Sequence, residues 1–185
     1  AGITTVSDEE SRVGFAAARW PGRMELISGA FGASDQRDLL LDGAHNEDGA
    51  AALAAAVSDL APLLRDGDGE SGAGGVTLIF AAMADKSAAK IFSELARSPL
   101  LQSARVICTS VGDDRSSSPE ALTAMARGAG LGAKVETAAD PRAALNAASR
   151  DRGAVIVAGS LYLVGAVRER LLREGKLPDD GSLDR

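Results

Sequence analysis

The only histidine of the chain, His45, lies in the segment LLLDGAHNEDGAAAL at residues 39–53. The three leucines have the composition of a buried strand, and the alanine spacing predicts a helix that begins at about residue 47. An imidazole at a helix start faces the positive end of the helix dipole, which disfavours its protonated form. We therefore expect a neutral imidazole that hydrogen-bonds an anionic or an amine partner. The alternative is a surface or capping role.

Two neighbours of His45 also carry polar groups suited to a ligand. Asp42 ends the predicted strand, and Gly43 permits the sharp turn that follows it. A carboxylate at this point could accept hydrogen bonds from a ribose, or could be a satisfied structural group. Asn46 is a candidate helix N-cap, and equally a candidate ligand contact. Because the chain has one histidine and one cysteine, no zinc site is predicted.

Two cationic residues follow later strands of the chain. Lys86, in MADKS, precedes a predicted helix, where a lysine is unfavourable unless an anion is present. A solvated lysine is the alternative. Arg115, in DDRSSSPE, could clamp a carboxylate or a phosphate, or could pair with Asp113 or Asp114.

Ser160 and Arg23 complete the set of candidate residues. Ser160 is predicted to cap the helix that starts at Leu161, and its surroundings lack the pattern of a nucleophile elbow. Arg23, in WPGR, precedes the first strand with Trp20 nearby, which indicates an interdomain or ligand-facing corner.

The elements that must position these residues alternate between short apolar runs and helical patterns from Met24 onward. Nearly all-apolar strands are typical of parallel sheets buried on both faces, so we predict an open α/β sheet of six mostly parallel strands with helices on both faces. The first two strands have no helix between them, which predicts one antiparallel edge strand. The predicted strands are 24–28, 38–42, 76–81, 104–110, 133–137 and 154–159, and the predicted helices are 47–64, 87–97, 119–128, 141–150 and 161–174.

Ligands of open α/β sheets bind beyond the carboxyl ends of the strands. The segments DGAHN, MADKS, DDRSSSPE and GSLY each follow a predicted strand, so we expect them at one edge. The glycine clusters GESGAGG and GAGLGA do not open a helix after a strand, and the sequence contains no G-x-x-x-x-G-K-[ST] motif. Four such loops without a phosphate cradle indicate half of an active site.

Composition limits the classes of partner. The 185 residues carry a formal charge of −6 without a basic stripe, which argues against nucleic acid. Cys108 lies in an apolar run and is expected to be a buried, inert thiol, in keeping with a reducing compartment. No apolar run approaches the ~20 residues that a membrane helix needs. With no signal peptide recognised at the start, we expect a cytoplasmic, soluble domain without a membrane partner.

Taken together, the motifs resemble a known family. DGAHN before an alanine-rich helix, then AAMADKS, DRSSSPEAL and VAGSLYLVGAVRERL, occur in that order. They resemble the C-terminal domain of folylpolyglutamate synthase, often bifunctional with dihydrofolate synthase, in the Mur ligase superfamily. WPGRME resembles the segment where that domain begins. The resemblance implies a Rossmann-like domain at 20–178, an interdomain linker at 1–19 and a frayed tail at 179–185.

The resemblance implies an ATP-dependent amide ligase of folate biosynthesis and one-carbon metabolism. In this family ATP phosphorylates the carboxylate of a folate or dihydropteroate, and the amine of L-glutamate attacks the acyl phosphate. Mg²⁺ and the P-loop belong to the N-terminal domain of the family, so the present domain alone is expected to be inactive. The partners implied are that P-loop ATPase domain, L-glutamate and the folate substrate.

The resemblance also implies roles for single residues. Asp42 would bind the ATP ribose, and Arg23 would reach the phosphates. His45 would be catalytic. The residues expected at the nucleotide are Arg23, Asp42, Asn46 and Lys86. The residues expected at the glutamate, the acyl phosphate or the folate substrate are His45, Ser160 and Arg115.

This sequence departs from the family pattern at three positions. Glu47 stands where the family usually has proline, and Ala81 and Ser87 replace the first glycine and the last aspartate of G-x-M-x-D-K-D. Two alternatives remain open, namely the C-terminal domain of a peptidoglycan Mur ligase and a stand-alone, non-catalytic α/β nucleotide-binding module. The ending GSLYLVG favours the folate branch, without distinguishing dihydrofolate synthase from folylpolyglutamate synthase.

Overall fold

The computed structural model describes residues 7–17, 20–32, 34–70, 75–112 and 114–177, which form one sheet flanked by helices. The strands are β1 Glu25–Ser28, β2 Asp38–Leu41, β3 Val76–Phe80, β4 Arg105–Cys108, β5 Lys134–Thr137 and β6 Ala154–Ala158. The helices are α1 Asp8–Ala17, α2 Glu47–Leu60, α3 Ala88–Leu95, α4 Pro99–Gln102, α5 Pro119–Gly128, α6 Pro141–Ala148 and α7 Leu161–Arg173.

The sheet has the strand order β1-β2-β6-β3-β4-β5. β1 pairs with β2 in the antiparallel sense, and every other pair is parallel. The prediction of a six-stranded, mostly parallel sheet with one antiparallel edge strand is therefore confirmed. Leu41 pairs with Val157, Val157 with Ile79, and Ile79 with Ile107, so four neighbouring strands end in step.

Both faces of the sheet are buried. Leu40, Leu78 and Ile156 point to one face, in a cluster with apolar residues of α2, α3 and α5. Their chain neighbours Leu39 and Ile79 point to the other face, in a cluster with residues of α6 and α7. Because side chains alternate between the faces of a strand, two covered faces require apolar residues throughout. Each fully buried leucine or isoleucine contributes roughly 1.5–3 kcal/mol.

Several predicted boundaries were wrong by a few residues. α2 ends at Leu60, not at residue 64, since Pro62 has no N–H to continue the helical ladder, and residues 61–63 form turns instead. β1 begins at Glu25 because Met24 has a φ of +47°, outside the extended region. The predicted helices 87–97 and 141–150 are likewise shorter, at Ala88–Leu95 and Pro141–Ala148.

The sequence pattern missed two helices, α1 and the single turn α4. α1 begins with a capping box, in which Glu10 accepts from the Ser7 N–H at 2.9 Å and Ser7 Oγ accepts from the Glu10 N–H at 3.2 Å. α1 lies inside the predicted linker 1–19, of which residues 1–6, 18 and 19 are outside the described residues, as is the predicted tail 179–185. Within the described ranges, no helix is long and apolar enough to cross a membrane.

Candidate functional site

The carboxyl ends of β2, β6, β3 and β4 form one edge of the sheet, which we call the carboxyl edge. β6 lies between β2 and β3 and leads into α7, which packs on one face. β2 and β3 lead into α2 and α3, which pack on the other face. The loop after β6 therefore leads to the opposite face from the loops after its two neighbours, which is the arrangement that opens a ligand crevice in sheets of this kind. Ser160 lies two residues beyond β6, at the centre of this crevice.

The turn after β2 is organised by Asp42. This residue is only 8% exposed. Its Oδ1 accepts from the Ala44 N–H at 2.8 Å, and its Oδ2 accepts from the Met24 N–H at 2.9 Å. The structural role that the sequence left open for this carboxylate is thus present. Each carboxylate oxygen keeps a further lone pair as an acceptor, and the ligand role predicted for Asp42 stays a prediction.

The segment Trp20–Arg23 reaches the carboxyl edge because β1 is antiparallel to β2 and begins where β2 ends. The Arg23 N–H bonds to the Trp20 carbonyl at 3.1 Å, with Pro21 and Gly22 between them and Gly22 at φ +73°. Proline followed by a left-handed glycine is typical of a type II turn. The guanidinium carbon of Arg23 lies 6.0 Å from the centroid of the Trp20 ring, which is 74% exposed. Arg23 is therefore exposed at this corner, and the prediction that the corner faces another domain or a ligand stays a prediction.

The His45 ring is oriented by the backbone of the same turn. Its Nδ1 lies 2.7 Å from the Gly43 carbonyl oxygen, and a carbonyl only accepts, so Nδ1 carries the proton in the neutral ring. Nε2 then carries a lone pair. The His45 residue is half-buried, and no side chain or backbone group of the described residues hydrogen-bonds to Nε2. In this tautomer Nε2 is a hydrogen-bond acceptor, and the catalytic role predicted for His45 stays a prediction.

Ser160 and Asn46 both cap helices, as predicted. Ser160 Oγ accepts from the Tyr162 N–H at 3.2 Å, and the residue is 2% exposed. Asn46 Oδ1 accepts from the Gly49 N–H at 2.8 Å, while the residue itself is exposed. Ser160 keeps its hydroxyl proton as a donor, and Asn46 keeps its amide N–H groups. The ligand roles predicted for both remain predictions.

Lys86 and Arg115 lie on a second pair of loops at the same edge, after β3 and β4. These loops are joined, because the Ala84 N–H bonds to the Arg115 carbonyl at 2.7 Å. Lys86 precedes α3 by two residues, and its Nζ lies 3.8 Å from Asp85 in a solvent-exposed ion pair. Arg115 is exposed, and Asp113, one of its two predicted partners, lies outside the described residues.

Cys108 is confirmed as a buried thiol at the end of β4. Burial raises the pKa of this thiol to about 11, against a smaller opposing effect of the charge of Arg127. Since the thiolate is the nucleophilic form, this side chain is not a candidate for covalent chemistry.

The sequence analysis missed a buried ion pair beneath the Trp20–Arg23 turn. Arg168 of α7 donates to Glu25 through Nε at 2.8 Å and through Nη2 at 3.1 Å. The signal was present in the sequence. On α7, Leu161, Val164 and Leu171 recur at helical spacing, and Arg168 falls in that otherwise apolar stripe.

All seven predicted residues therefore follow, or in the case of Arg23 precede, strands at the carboxyl edge. Hydrogen bonds join the turns of Arg23, Asp42 and His45 into one unit. Lys86 and Arg115 belong to the separate pair of loops beyond β6. Across three strand spacings of about 4.8 Å, the edge from β2 to β4 is roughly 14 Å wide.

Comparisons with known proteins agree with this geometry. The family model described as "Mur ligase, glutamate ligase domain" matches residues 22–161, a range that contains all seven predicted residues. Dihydrofolate synthase/folylpolyglutamate synthase of Bacillus subtilis (strain 168) is 44% identical over 52 residues, which are 28% of this chain and 11% of that protein.

Solved structures extend the likeness over the fold. Mycobacterium tuberculosis folylpolyglutamate synthase complexed with ADP and AMPPCP is 26% identical with a TM-score of 0.69, over 90% of this chain and 35% of that chain. E. coli FolC in complex with DHPP and ADP is 22% identical with a TM-score of 0.73, over 93% and 36%, and shows the fold alone. The chain thus spans about a third of the length of these structures.

The family match covers more than half of the chain, and it runs from the turn before β1 to the first residue of α7. The structural likeness covers the same elements at the level of the whole fold. The chain belongs to the Mur ligase family, as a glutamate ligase domain.

Proposed function

We propose that this chain is the C-terminal domain of an ATP-dependent folate–glutamate amide ligase that acts through an acyl phosphate. The observation that carries the proposal is the shared carboxyl edge, where the predicted nucleotide and substrate residues meet in a domain that matches a nucleotide-bound folylpolyglutamate synthase. Residues 20–178 constitute the domain in this proposal. The full-length protein acts in the cytoplasm.

The nucleotide lies against the joined turns of Arg23 and Asp42 in this account. Asp42 has one backbone N–H on each oxygen, and in this proposal the remaining lone pairs accept from the ribose hydroxyls. The Arg23 guanidinium is exposed and supplies a fixed positive charge suited to phosphate oxygens. The Asn46 amide, at the adjacent helix start, is a further donor toward the nucleotide, and Lys86 adds a cation across the crevice.

The substrates lie over β6 and the start of α2. The γ-phosphoryl group passes to the folate carboxylate, and the amine of L-glutamate then displaces phosphate from the acyl phosphate. His45 Nε2 takes the proton that the ammonium of L-glutamate must lose before it attacks. The Ser160 hydroxyl donates to an anionic oxygen at the centre of the crevice, and Arg115 binds a substrate carboxylate.

The rest of the site comes from a partner domain. Within the described part of the chain, no group of three or more His, Cys, Asp or Glu side chains is placed to hold a metal ion. In this proposal the Mg²⁺ that accompanies ATP is held mainly by an N-terminal P-loop ATPase domain. That fits a chain that spans 35% of the solved relative. One such relative, from Yersinia pestis, was solved with AMPPNP and a Mn ion.

The test is an acceptor panel with the full-length protein that contains this chain. ADP release is measured with ATP and L-glutamate plus dihydropteroate, tetrahydrofolate or a muramyl peptide as the acceptor. We expect ADP release and glutamylated product with at least one of the two folate acceptors. Product with the muramyl acceptor alone would show a peptidoglycan ligase instead.

A second arm tests the isolated chain by calorimetry with ATP. We expect weak nucleotide binding and no hydrolysis, since the phosphate-binding half is missing. Tight binding by the isolated chain, together with no ligation by the full-length protein, would support a stand-alone nucleotide-binding module and overturn the proposal.

A further inference from the structure

One stripe of α7 contacts the segments that carry the nucleotide residues. Leu161 packs against Gly43, where a Cβ would overlap its side chain, and Val164 packs against Gly22, where a Cβ would lie 2.5 Å from Cγ1. Arg168 continues the stripe one turn further and binds Glu25. The spacing of three and four residues places all three side chains on the same helix face. Because α7 begins directly after Ser160, this face links the centre of the crevice to β1.

The Arg168–Glu25 contact is built to fix a geometry. Arg168 is only 8% exposed, and its Nε and Nη2 bind the two oxygens of one carboxylate. The same carboxylate accepts from the Gly22 N–H at 2.7 Å, through Oε2. A bidentate guanidinium–carboxylate pair fixes the plane and the direction of the carboxylate. Through Glu25, the helix therefore holds the backbone of the turn that presents Arg23.

The opposite side of this turn is held by Asp42. Met24, between Arg23 and Glu25, has φ +47°, the one positive φ outside glycine in the described ranges. A residue in the left-handed region is strained, and such strain persists where the surroundings over-determine the backbone. Here the Met24 N–H is bound by Asp42, and the Gly22 carbonyl accepts from the Gly43 N–H at 2.9 Å. Both flanks of Arg23 are thus fixed, one by Asp42 and one by Glu25.

We propose that Arg168 is a positioning residue, which acts through Glu25 to aim Arg23 at the phosphates of the nucleotide. The inference rests on the proposed function, since it assumes that Arg23 meets phosphate. Arg168 lies beneath the turn and not at the crevice. Substitution of Arg168 is therefore expected to lower kcat/KM for ATP and to leave KM for L-glutamate unchanged.

The experiment uses the full-length protein and three single variants, Arg168→Gln, Glu25→Gln and Arg173→Gln. Arg173 is the matched control, because it is an arginine of the same helix that pairs with Glu169 on the exposed surface. We expect Arg168→Gln and Glu25→Gln to lower kcat/KM for ATP on the order of 10²-fold, the cost of a misplacement near 1 Å. KM for L-glutamate is expected to stay within about twofold, and Arg173→Gln to match wild type.

A double variant separates positioning from general stability. If Arg168 acts through Arg23, then Arg23→Ala combined with Arg168→Gln loses no more kcat/KM for ATP than Arg23→Ala alone. Losses that multiply, or an unchanged kcat/KM for ATP in Arg168→Gln, would overturn the inference, while wild-type ligation would leave the proposed function intact. Should Arg168→Gln fail to fold, Glu25→Gln carries the same test, because its amide oxygen still accepts from Gly22. If the wild-type protein showed no ligation, the proposed function itself would be wrong.

Discussion

Substitution of His45 gives the sharpest separation between a chemical and a structural role. The Nδ1–H of the ring donates to the Gly43 carbonyl at 2.7 Å, and Nε2 has no hydrogen-bond partner among the described residues. In His45→Asn, the side-chain amide replaces the Nδ1 donor but places nothing at the position of Nε2. In His45→Ala, both are lost. The two variants therefore share the chemical defect and differ in the hydrogen bond.

The expected magnitudes follow from those two groups. Loss of the hydrogen bond to Gly43 costs about 1 kcal/mol of unfolding free energy, and only His45→Ala loses it. A positioned general base contributes about 10²–10⁴-fold in rate, or roughly 3–5 kcal/mol of activation free energy. Both variants of His45 are thus expected to lose 10²–10⁴-fold in kcat, while His45→Asn keeps wild-type stability within about 1 kcal/mol.

The assay is the rate of ADP release by the full-length protein at saturating substrates, with urea denaturation for stability. Arg152→Ala is a suitable control, since Arg152 follows α6 at the opposite edge and pairs with Asp68 in solvent. Turnover of His45→Asn within twofold of wild type would refute the role of Nε2. Loss of turnover in His45→Ala alone would show that the imidazole serves only to fix the Gly43 turn.

Three further outcomes follow from the geometry. Gly159→Ala is expected to lower the unfolding free energy of the domain by about 3 kcal/mol or more, because Gly159 has φ +100° and a Cβ would overlap a backbone carbonyl and an aromatic ring. The control is Gly165→Ala, at an open position in α7. Urea denaturation of that control is expected to show a gain of roughly 0.5–1 kcal/mol. Asn46→Ser keeps a side-chain oxygen as the cap of α2 and is expected to retain the unfolding free energy. Because the variant loses the side-chain amide that is proposed to contact the nucleotide, its KM for ATP is expected to rise. An unchanged KM for ATP would leave Asn46 with the capping role alone. Burial raises the pKa of Asp38, but hydrogen bonds from Arg65 and a serine outweigh this and hold it below its ordinary value. The stability that Asp38 contributes is therefore complete above about pH 4 and is lost as the pH falls further. In urea denaturation at a series of pH values, the unfolding free energy of Asp38→Asn is expected to fall less steeply below about pH 4 than that of the wild type. An equally steep fall in both proteins would show that this carboxyl is not responsible.

The periodic elements were predictable because their cause is local in the sequence. Runs such as VTLIF and AVIVA are apolar at every position, and only a strand buried on both faces needs that composition. The helix starts at Asn46, Ser118 and Ser160 were equally visible, since each cap is a single side chain that binds an N–H two or three residues ahead.

The missed features depend on contacts between distant segments. Arg168 and Glu25 are separated by most of the chain, and nothing in the sequence around either one predicts the partner. The positive φ of Met24 likewise follows from the hydrogen bond to Asp42, which forms only once β1 and β2 have paired. The sequence could therefore place Arg23 at a corner, but could not show what holds it there.

The most direct test of the account is a crystal structure of the full-length protein with a non-hydrolysable ATP analogue. The account predicts a nucleotide at the carboxyl edge, with ribose hydroxyls within hydrogen-bond distance of Asp42 and phosphate oxygens facing Arg23. A nucleotide bound elsewhere on the protein, with the turns of Asp42 and Arg23 left facing solvent, would contradict it.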